Sequence, residues 1–268
     1  MELGLAGRKV LVTGSSSGLG AEVARVLAAE GAAVVVHGRD QERAEQVAKE
    51  IVADGGKASV AIGDLGTEEG ADEVARAATV DGPVDVLVNN VGVFEPAKGW
   101  ADLKAADWAR LYDVNVLTSV RLIERLVPAM RERGWGRVIQ IGSVIGSLPS
   151  ARQPHYGASN AARENLAASL ARELSGTGVT SNAIAVGGIV TPAAEESLTA
   201  LGRKQGWGQT WEEIEPTLTR ELAPNNIGRL GRLHEIASAV AYLASPGAAY
   251  ITGTTLHVNG GWYDAPAA

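Results

Sequence analysis

Thr13-Gly14-Ser15-Ser16-Ser17-Gly18-Leu19-Gly20 joins a short β-branched run, residues 9–13, to residues 19–30, where Val23, Val26 and Leu27 recur at helical spacing. A strand that passes into a helix through clustered glycines does so for steric reasons. Gly14 permits the tight turn, Gly18 lets backbone approach a pyrophosphate, and Gly20 allows close contact between helix and strand. Free N–H groups at the helix start provide an anion site. The segment predicts a dinucleotide-binding turn, with a purely structural turn as the alternative.

Outward from this turn the same rhythm repeats. Continuous apolar runs at 33–37, 58–62, 84–89, 137–142, 179–186 and 255–258 read as strands buried on both faces. Helical stretches lie between them, such as 43–53 with Val47, Ile51 and Val52. The alternation predicts an α/β fold: a doubly wound, parallel, seven-stranded sheet of the Rossmann type with helices on both faces. No linker, repeat or low-complexity block interrupts it, so residues 1–268 read as a single dinucleotide-binding domain. From Thr191 to Arg232 no clear strand is visible, and Trp207, Trp211, Pro216 and Pro224 mark an excursion. It follows the sixth strand, at the edge where open α/β sheets take their ligands. Residues 191–232 are expected to form a substrate lid, with a plain surface excursion as the alternative.

Composition narrows the function. The 268 residues are 46% hydrophobic and 21% charged, which excludes a disordered chain. A net charge of −7 argues against nucleic acid as a partner, while leaving room for a local basic pocket that grips a phosphate. With no cysteine there is no disulfide, thiol nucleophile or cysteine-ligated metal. His37, His155, His234 and His257 lack ligand spacing, so no metal is expected. The longest stretches without charge, 174–194 and 236–263, are broken by Gly, Ser, Thr and Asn rather than continuously apolar, so no membrane-spanning helix is expected, and the first residues lack the layout of a secretory signal. No membrane is expected as a partner, and the expected location is cytoplasmic.

The glycine spacing is G-x-x-x-G-x-G, and further motifs follow it. Asn89-Asn90-Val91-Gly92 comes after the fourth strand, then Asn115, then Ser143 after the fifth strand, then Tyr156 thirteen residues later. Gly187-Gly188-Ile189-Val190-Thr191, Gly228-Arg229-Leu230-Gly231-Arg232, Tyr250-Ile251-Thr252-Gly253 and Asn259-Gly260-Gly261 complete the series. Over nearly its whole length the chain resembles the short-chain dehydrogenase/reductase family, in particular its 3-oxoacyl-carrier-protein-reductase-like branch. The resemblance implies hydride transfer between nicotinamide and a carbonyl or alcohol carbon of a small molecule. Ser143 would bond the substrate oxygen, Tyr156 would give or take its proton, and Asn115 would hold a water in a proton relay. Cofactor contacts are implied at Gly14, Ser16, Ser17, Gly18, Leu19 and Gly20, and at Asp64, Leu65, Asn90 and Gly92. Tyr156, Asn160, Gly187, Ile189 and Thr191 complete the implied cofactor set. The resemblance also implies a homotetramer, for which Ala161, Ala162, Ala167, Ala168 and the pair Trp262-Tyr263 are suited to close packing.

Cofactor choice is read at the end of the second strand, His37-Gly38-Arg39-Asp40. An acidic side chain near Gly38 would bond the adenosine ribose; instead there is glycine, followed by a guanidinium able to grip a 2′-phosphate. NADP(H) is the expected cofactor. Asp40 is expected to cap a helix, and a solvated Arg39 is the alternative to phosphate binding.

One position departs from the family pattern, Tyr-x-x-x-Lys. The chain has Tyr156-Gly157-Ala158-Ser159-Asn160. In the family the lysine bonds the nicotinamide ribose and its charge lowers the tyrosine pKa; Asn160 can supply only the hydrogen bond. A phenol near its ordinary value of about 10 stays protonated at neutral pH, suited to donating to a ketone and a poor base for an alcohol. The readings are a carbonyl reductase with an altered relay, a catalytically silent NADP-binding protein, an engineered substitution, or an enolising or dehydrating enzyme. On this view Asn160→Lys speeds alcohol oxidation. Arg163 is expected to pair on the helix surface with Glu164 or Glu173, the alternative being that it leans back and supplies charge. His155, adjacent to Tyr156, is a candidate substrate-side contact.

Overall fold

A computed structural model describes residues 2–95 and 98–262. The elements run β1 (Lys9–Val12), α1 (Gly18–Ala29), β2 (Ala33–Gly38), α2 (Gln41–Ala53), β3 (Lys57–Ile62), α3 (Glu68–Thr79) and β4 (Val86–Asn89). The chain continues through α4 (Ala105–Tyr112), α5 (Thr118–Glu132), β5 (Gly136–Ser143), α6 (Pro154–Glu173), β6 (Val179–Val186), β7 (Ile189–Val190) and α7 (Pro192–Gln205). It ends with α8 (Trp211–Leu222), β8 (Gly231–Arg232), α9 (Leu233–Ala244) and β9 (Thr255–Val258). Seven strands form one parallel sheet in the order β3-β2-β1-β4-β5-β6-β9. The order reverses between β1 and β4, which opens the ligand crevice at their carboxyl ends.

Side chains alternate across the central strands and bury both faces. Val10 and Val12 join a core with α1, α2 and α9, whereas Leu11, between them, joins Val35 and Leu87 under α3 and α5. Double burial fails at the two ends of the sheet. Lys57 and Ser59 on β3 and His257 on β9 are exposed, because an end strand has a neighbour on only one side.

The excursion after β6 has its own small core. Val190, Ile214, Leu218, Ala223 and Leu230 are buried together, with Trp207, Trp211 and Trp262 packed on them. Thr191 caps α7, and Thr210 with Glu213 forms a capping box on α8. The reading of no strand in this region needs one correction. Gly231–Arg232 pairs with Ile189–Val190 in a two-stranded parallel ribbon that closes the base of the excursion. An ionic clasp reinforces it: Arg232 binds both oxygens of Glu215, at 2.7 and 2.8 Å, and Arg229 binds both of Glu235, at 2.9 and 2.6 Å.

Two expectations about packing surfaces change. Ala167 is fully buried in the chain's own interior and cannot serve a subunit contact, whereas Ala161 is exposed. Trp262 packs on the excursion core and bridges Asn225; Tyr263 lies outside the described residues. Among the described residues no helix is long and apolar enough to cross a membrane.

Candidate functional site

The glycine-rich turn is held from beneath by neutral polar groups. Thr13 Oγ1 accepts from the N–H groups of Asn90 and Val91, at 2.8 and 3.0 Å, and Asn90 Nδ2 donates to Thr13 O at 2.9 Å. The turns after β1 and β4 are thereby tied together across the crevice. Gly14 and Gly18 adopt φ of +63° and +55°, and a Cβ on Gly20 would lie 2.4 Å from Gly14 O. Ser17 begins α1 without a side-chain capping bond, so the first N–H groups of the helix stay open to an anion. Ser16 flanks the turn, and Leu19 packs onto the core.

His37, which sequence reasoning left out of the site, braces this turn. Its Nδ1 accepts from Gly14 N at 2.9 Å, which places the proton on Nε2, 3.2 Å from Gly63 O. Burial pushes its pKa down to about 4, so the ring is neutral. The available signal was a histidine ending a fully buried strand, where both ring nitrogens need partners.

Beyond β2, a Cβ on Gly38 would sit 2.8 Å from Ser16 Oγ, so glycine keeps this corner open. Arg39 is exposed and makes no hydrogen bond or ion pair with any described residue. Asp40 caps α2 through Arg43 N, as expected. Asp64 is exposed and accepts from Gly66 N, with Leu65 buried beside it. Across the crevice, a Cβ on Gly187 would come within 2.7 Å of Asn259 Cα. Ile189 is half-buried in β7, and the Thr191 hydroxyl accepts from Ala194 N.

The second half of the site gathers around α6. Ser143 ends β5, and Tyr156, Asn160 and Arg163 share one helix face at steps of four and three. Burial pushes the Tyr156 phenol above its ordinary pKa, opposed by the charge of Arg163 and by hydrogen bonding from Asn160 and Ser143. Asn160 Nδ2 donates to Tyr156 O at 2.8 Å. Asn115 lies in a π-turn, Asp113–Leu117, between α4 and α5. Its side chain bonds both backbone groups of Val93, at 2.7 and 3.2 Å, and Ser159 Oγ at 3.2 Å.

Arg163 overturns the expectation of a surface ion pair. The side chain is buried, and its guanidinium donates to the backbone oxygens of Asn115, Ile141 and Val91. Glu173 pairs instead with Arg131, and Glu164 Oε1 is buried without a hydrogen-bond partner among the described residues. The cause is helical phase: Arg163 is seven residues from Tyr156, two turns along the inward face. Burial lowers its pKa to about 10, which still leaves it charged at neutral pH. Gly92 lies against it: a Cβ there would be in ordinary contact with the guanidinium, at 3.6 Å.

On the open side, Phe94 meets the Tyr156 ring edge-on at 5.3 Å. Glu95 binds Arg110 and Lys98, which hold its carboxyl at about 2. His155 is buried beside Trp108 with its Nε2 3.6 Å from Glu95. Residues 96 and 97 of this segment lie outside the described residues.

A parallel sheet with an open anion-binding turn at its switch point, and a Ser–Tyr pair at the same edge, defines a Rossmann-type oxidoreductase. The chain belongs to the short chain dehydrogenase family, whose model matches residues 8–201. It is 39% identical over 264 residues to the "Uncharacterized oxidoreductase YvaG" of Bacillus subtilis (strain 168), covering 97% of this chain and 98% of that one. It is 37% identical over 262 residues to the 3-oxoacyl-[acyl-carrier-protein] reductase FabG of Vibrio cholerae, covering 97% and 99%. Among solved structures, L-sorbose reductase from Gluconobacter frateurii, complexed with NADPH and L-sorbose, superposes with a TM-score of 0.90. Its sequence identity is 30%, with 97% and 98% of the two chains covered. A 3-oxoacyl (acyl-carrier-protein) reductase from Agrobacterium tumefaciens C58 with NADP bound gives 0.86 at 34% identity, covering 97% and 95%.

Proposed function

We propose that the protein is an NADP(H)-dependent ketone reductase acting on a small carbonyl compound. The observation that carries this reading is the partly buried Tyr156 phenol at the edge where the glycine-rich turn opens, with Ser143, at the end of β5, among the groups that ease its ionisation. The residues present fit the cofactor: an uncapped α1 for the pyrophosphate, a cleared Gly38 corner, and an unpartnered Arg39 for a 2′-phosphate. NADPH, when bound, supplies the hydride. Ser143 orients the carbonyl oxygen, and Tyr156 delivers the proton to that oxygen. The raised pKa keeps Tyr156 protonated at neutral pH, so reduction is favoured and oxidation, which needs the phenolate, gains with rising pH. Asn160 supplies a neutral hydrogen-bond donor toward the nicotinamide ribose.

In the same reading, residues 191–232 form a lid over the substrate, hinged at the β7–β8 ribbon, and the exposed side of α6 packs between subunits of a homotetramer. Light scattering tests the assembly, and a monomeric mass overturns it. NADPH consumption against a panel of ketones tests the activity. Turnover is expected; tight NADPH binding without turnover on any ketone overturns it in favour of a silent binding protein.

A further inference from the structure

We propose that the buried guanidinium of Arg163 is the cation that serves Tyr156, a positioning residue that replaces from two helical turns away the charge Asn160 lacks. The inference rests on the reductase reading for its kinetic arm alone. Two observations and one energetic argument converge on it. Arg163 shares the inward face of α6 with Tyr156 and Asn160. Among the described residues no carboxylate pairs with it: three backbone carbonyls, from Asn115, Ile141 and Val91, solvate it instead. A guanidinium moved out of water with no counter-ion costs several kcal/mol, an expense that a purely structural anchor could avoid with an apolar side chain.

One of these carbonyls, that of Asn115, belongs to the π-turn. The π-turn presents it toward α6, and Arg163 Nε takes it up. The cation thus holds in one network the segments that frame the reaction: Val91 from the loop that carries Phe94, Asn115 from the π-turn, and Ile141 from the strand that ends in Ser143. Gly92 adds an uncharged neighbour: a Cβ there would lie 3.6 and 3.7 Å from the two terminal guanidinium nitrogens.

Other charged groups around Tyr156 are accounted for. Glu95, from the loop carrying Phe94, is ion-paired to Arg110 of α4 and to Lys98. Asp113, in the π-turn, is paired to Arg121. His155 lies on the Glu95 side, and Glu164 of α6 faces His257 of β9. Among these, Arg163 is the charged group that acts on the phenol, and it acts in the direction that favours the phenolate.

Two single variants separate charge from hydrogen bonding. Arg163→Gln keeps N–H donors and loses the charge; Arg163→Lys keeps the charge and loses donors. The phenol is read directly, by ¹³C NMR titration of Cζ-labelled tyrosine with Tyr156→Phe identifying the resonance, and kinetically, by the pH profile of alcohol oxidation. Arg163→Gln is expected to move the Tyr156 titration and the oxidation limb upward by roughly one unit or more, the scale of a nearby opposite charge. Arg163→Lys should leave both near wild type, and Asn160→Lys combined with Arg163→Gln should bring them back. NADPH affinity by calorimetry is expected to change little in Arg163→Gln, because the guanidinium points into the protein. A Tyr156 titration that stays in place in folded Arg163→Gln, or that moves equally in Arg163→Lys, overturns the proposal. Where Arg163→Gln fails to fold, the double variant decides: an unrestored titration overturns the proposal, and a restored one supports it. Absence of turnover in the wild type overturns the reductase reading instead, and the NMR titration still judges Arg163.

Discussion

The glycine-rich turn and the Tyr156 corner share one edge of the sheet and are built in opposite ways. The turn is contiguous in sequence, neutral, and arranged so that backbone N–H groups are left over for an incoming anion. The corner is drawn from four distant segments and gathers backbone carbonyls around a resident cation. A pocket that receives charge needs unspent donors, and one that stores charge must spend its acceptors. Neither arrangement could serve in the other's place.

Replacing Tyr156 tests the corner most severely. Tyr156→Phe is expected to cut turnover by ~10²–10⁴-fold or more in both directions, with NADPH binding nearly intact, as checked by steady-state kinetics and calorimetry. Equal loss of binding would mean that the two regions are not separable.

Asn160→Lys in the otherwise native chain follows. Sequence alone favours a faster oxidation, but Arg163 reverses that expectation, since a second cation would enter a pocket that already holds one without a counter-ion. The expected outcome is a lower melting temperature, by a burial cost of ~3–5 kcal/mol, and no gain in oxidation rate. A stable, faster Asn160→Lys protein would show that the Arg163 charge does not reach this position.

The neutrality of the turn predicts a pH effect. His37 titrates at about 4 when folded and 6.5 as a free side chain, so the unfolded chain binds the proton first. Its contribution to stability is complete above about pH 6.5, falls as the pH drops toward 4, and levels off below that. The loss should be on the order of 3 kcal/mol. His37→Gln, which retains an acceptor for Gly14 N and a donor for Gly63 O, should remove this part of the acid dependence in denaturant titrations at several pH values.

The smallest effect belongs to Arg39. Arg39→Ala should weaken NADPH about tenfold, the scale of one lost charge-assisted contact, and leave NADH unchanged. Equal losses for both cofactors would remove Arg39 from the phosphate site.

What the sequence disclosed followed the same division. The strand–glycine–helix turn, the Asp40 cap and the seven strands are local patterns, and each stands within a residue or two of its expected place. Arg163 was not legible as a buried charge because α6 has no apolar stripe. His155, Ser159, Asn160 and Arg163 face inward there, so a hydrophobic face gives the wrong phase. The clasp between Glu215 and Arg232 joins residues seventeen apart, through a turn that periodicity does not report. His37 read as one more member of a strand, because the partners that define it, Gly14 and Gly63, lie on other segments.

The imidazole of His37 also fixes how the crevice meets its ligand. One ring joins the end of β1 to the turn after β3, so the backbone beneath a pyrophosphate and the backbone beside Asp64 and Leu65 are clamped to each other before anything binds. At the proposed cofactor site a dinucleotide would find both halves of its seat already in register and would not need to order them. Little backbone entropy would then be lost on docking, and affinity would be set by the contacts themselves rather than by the work of assembling them.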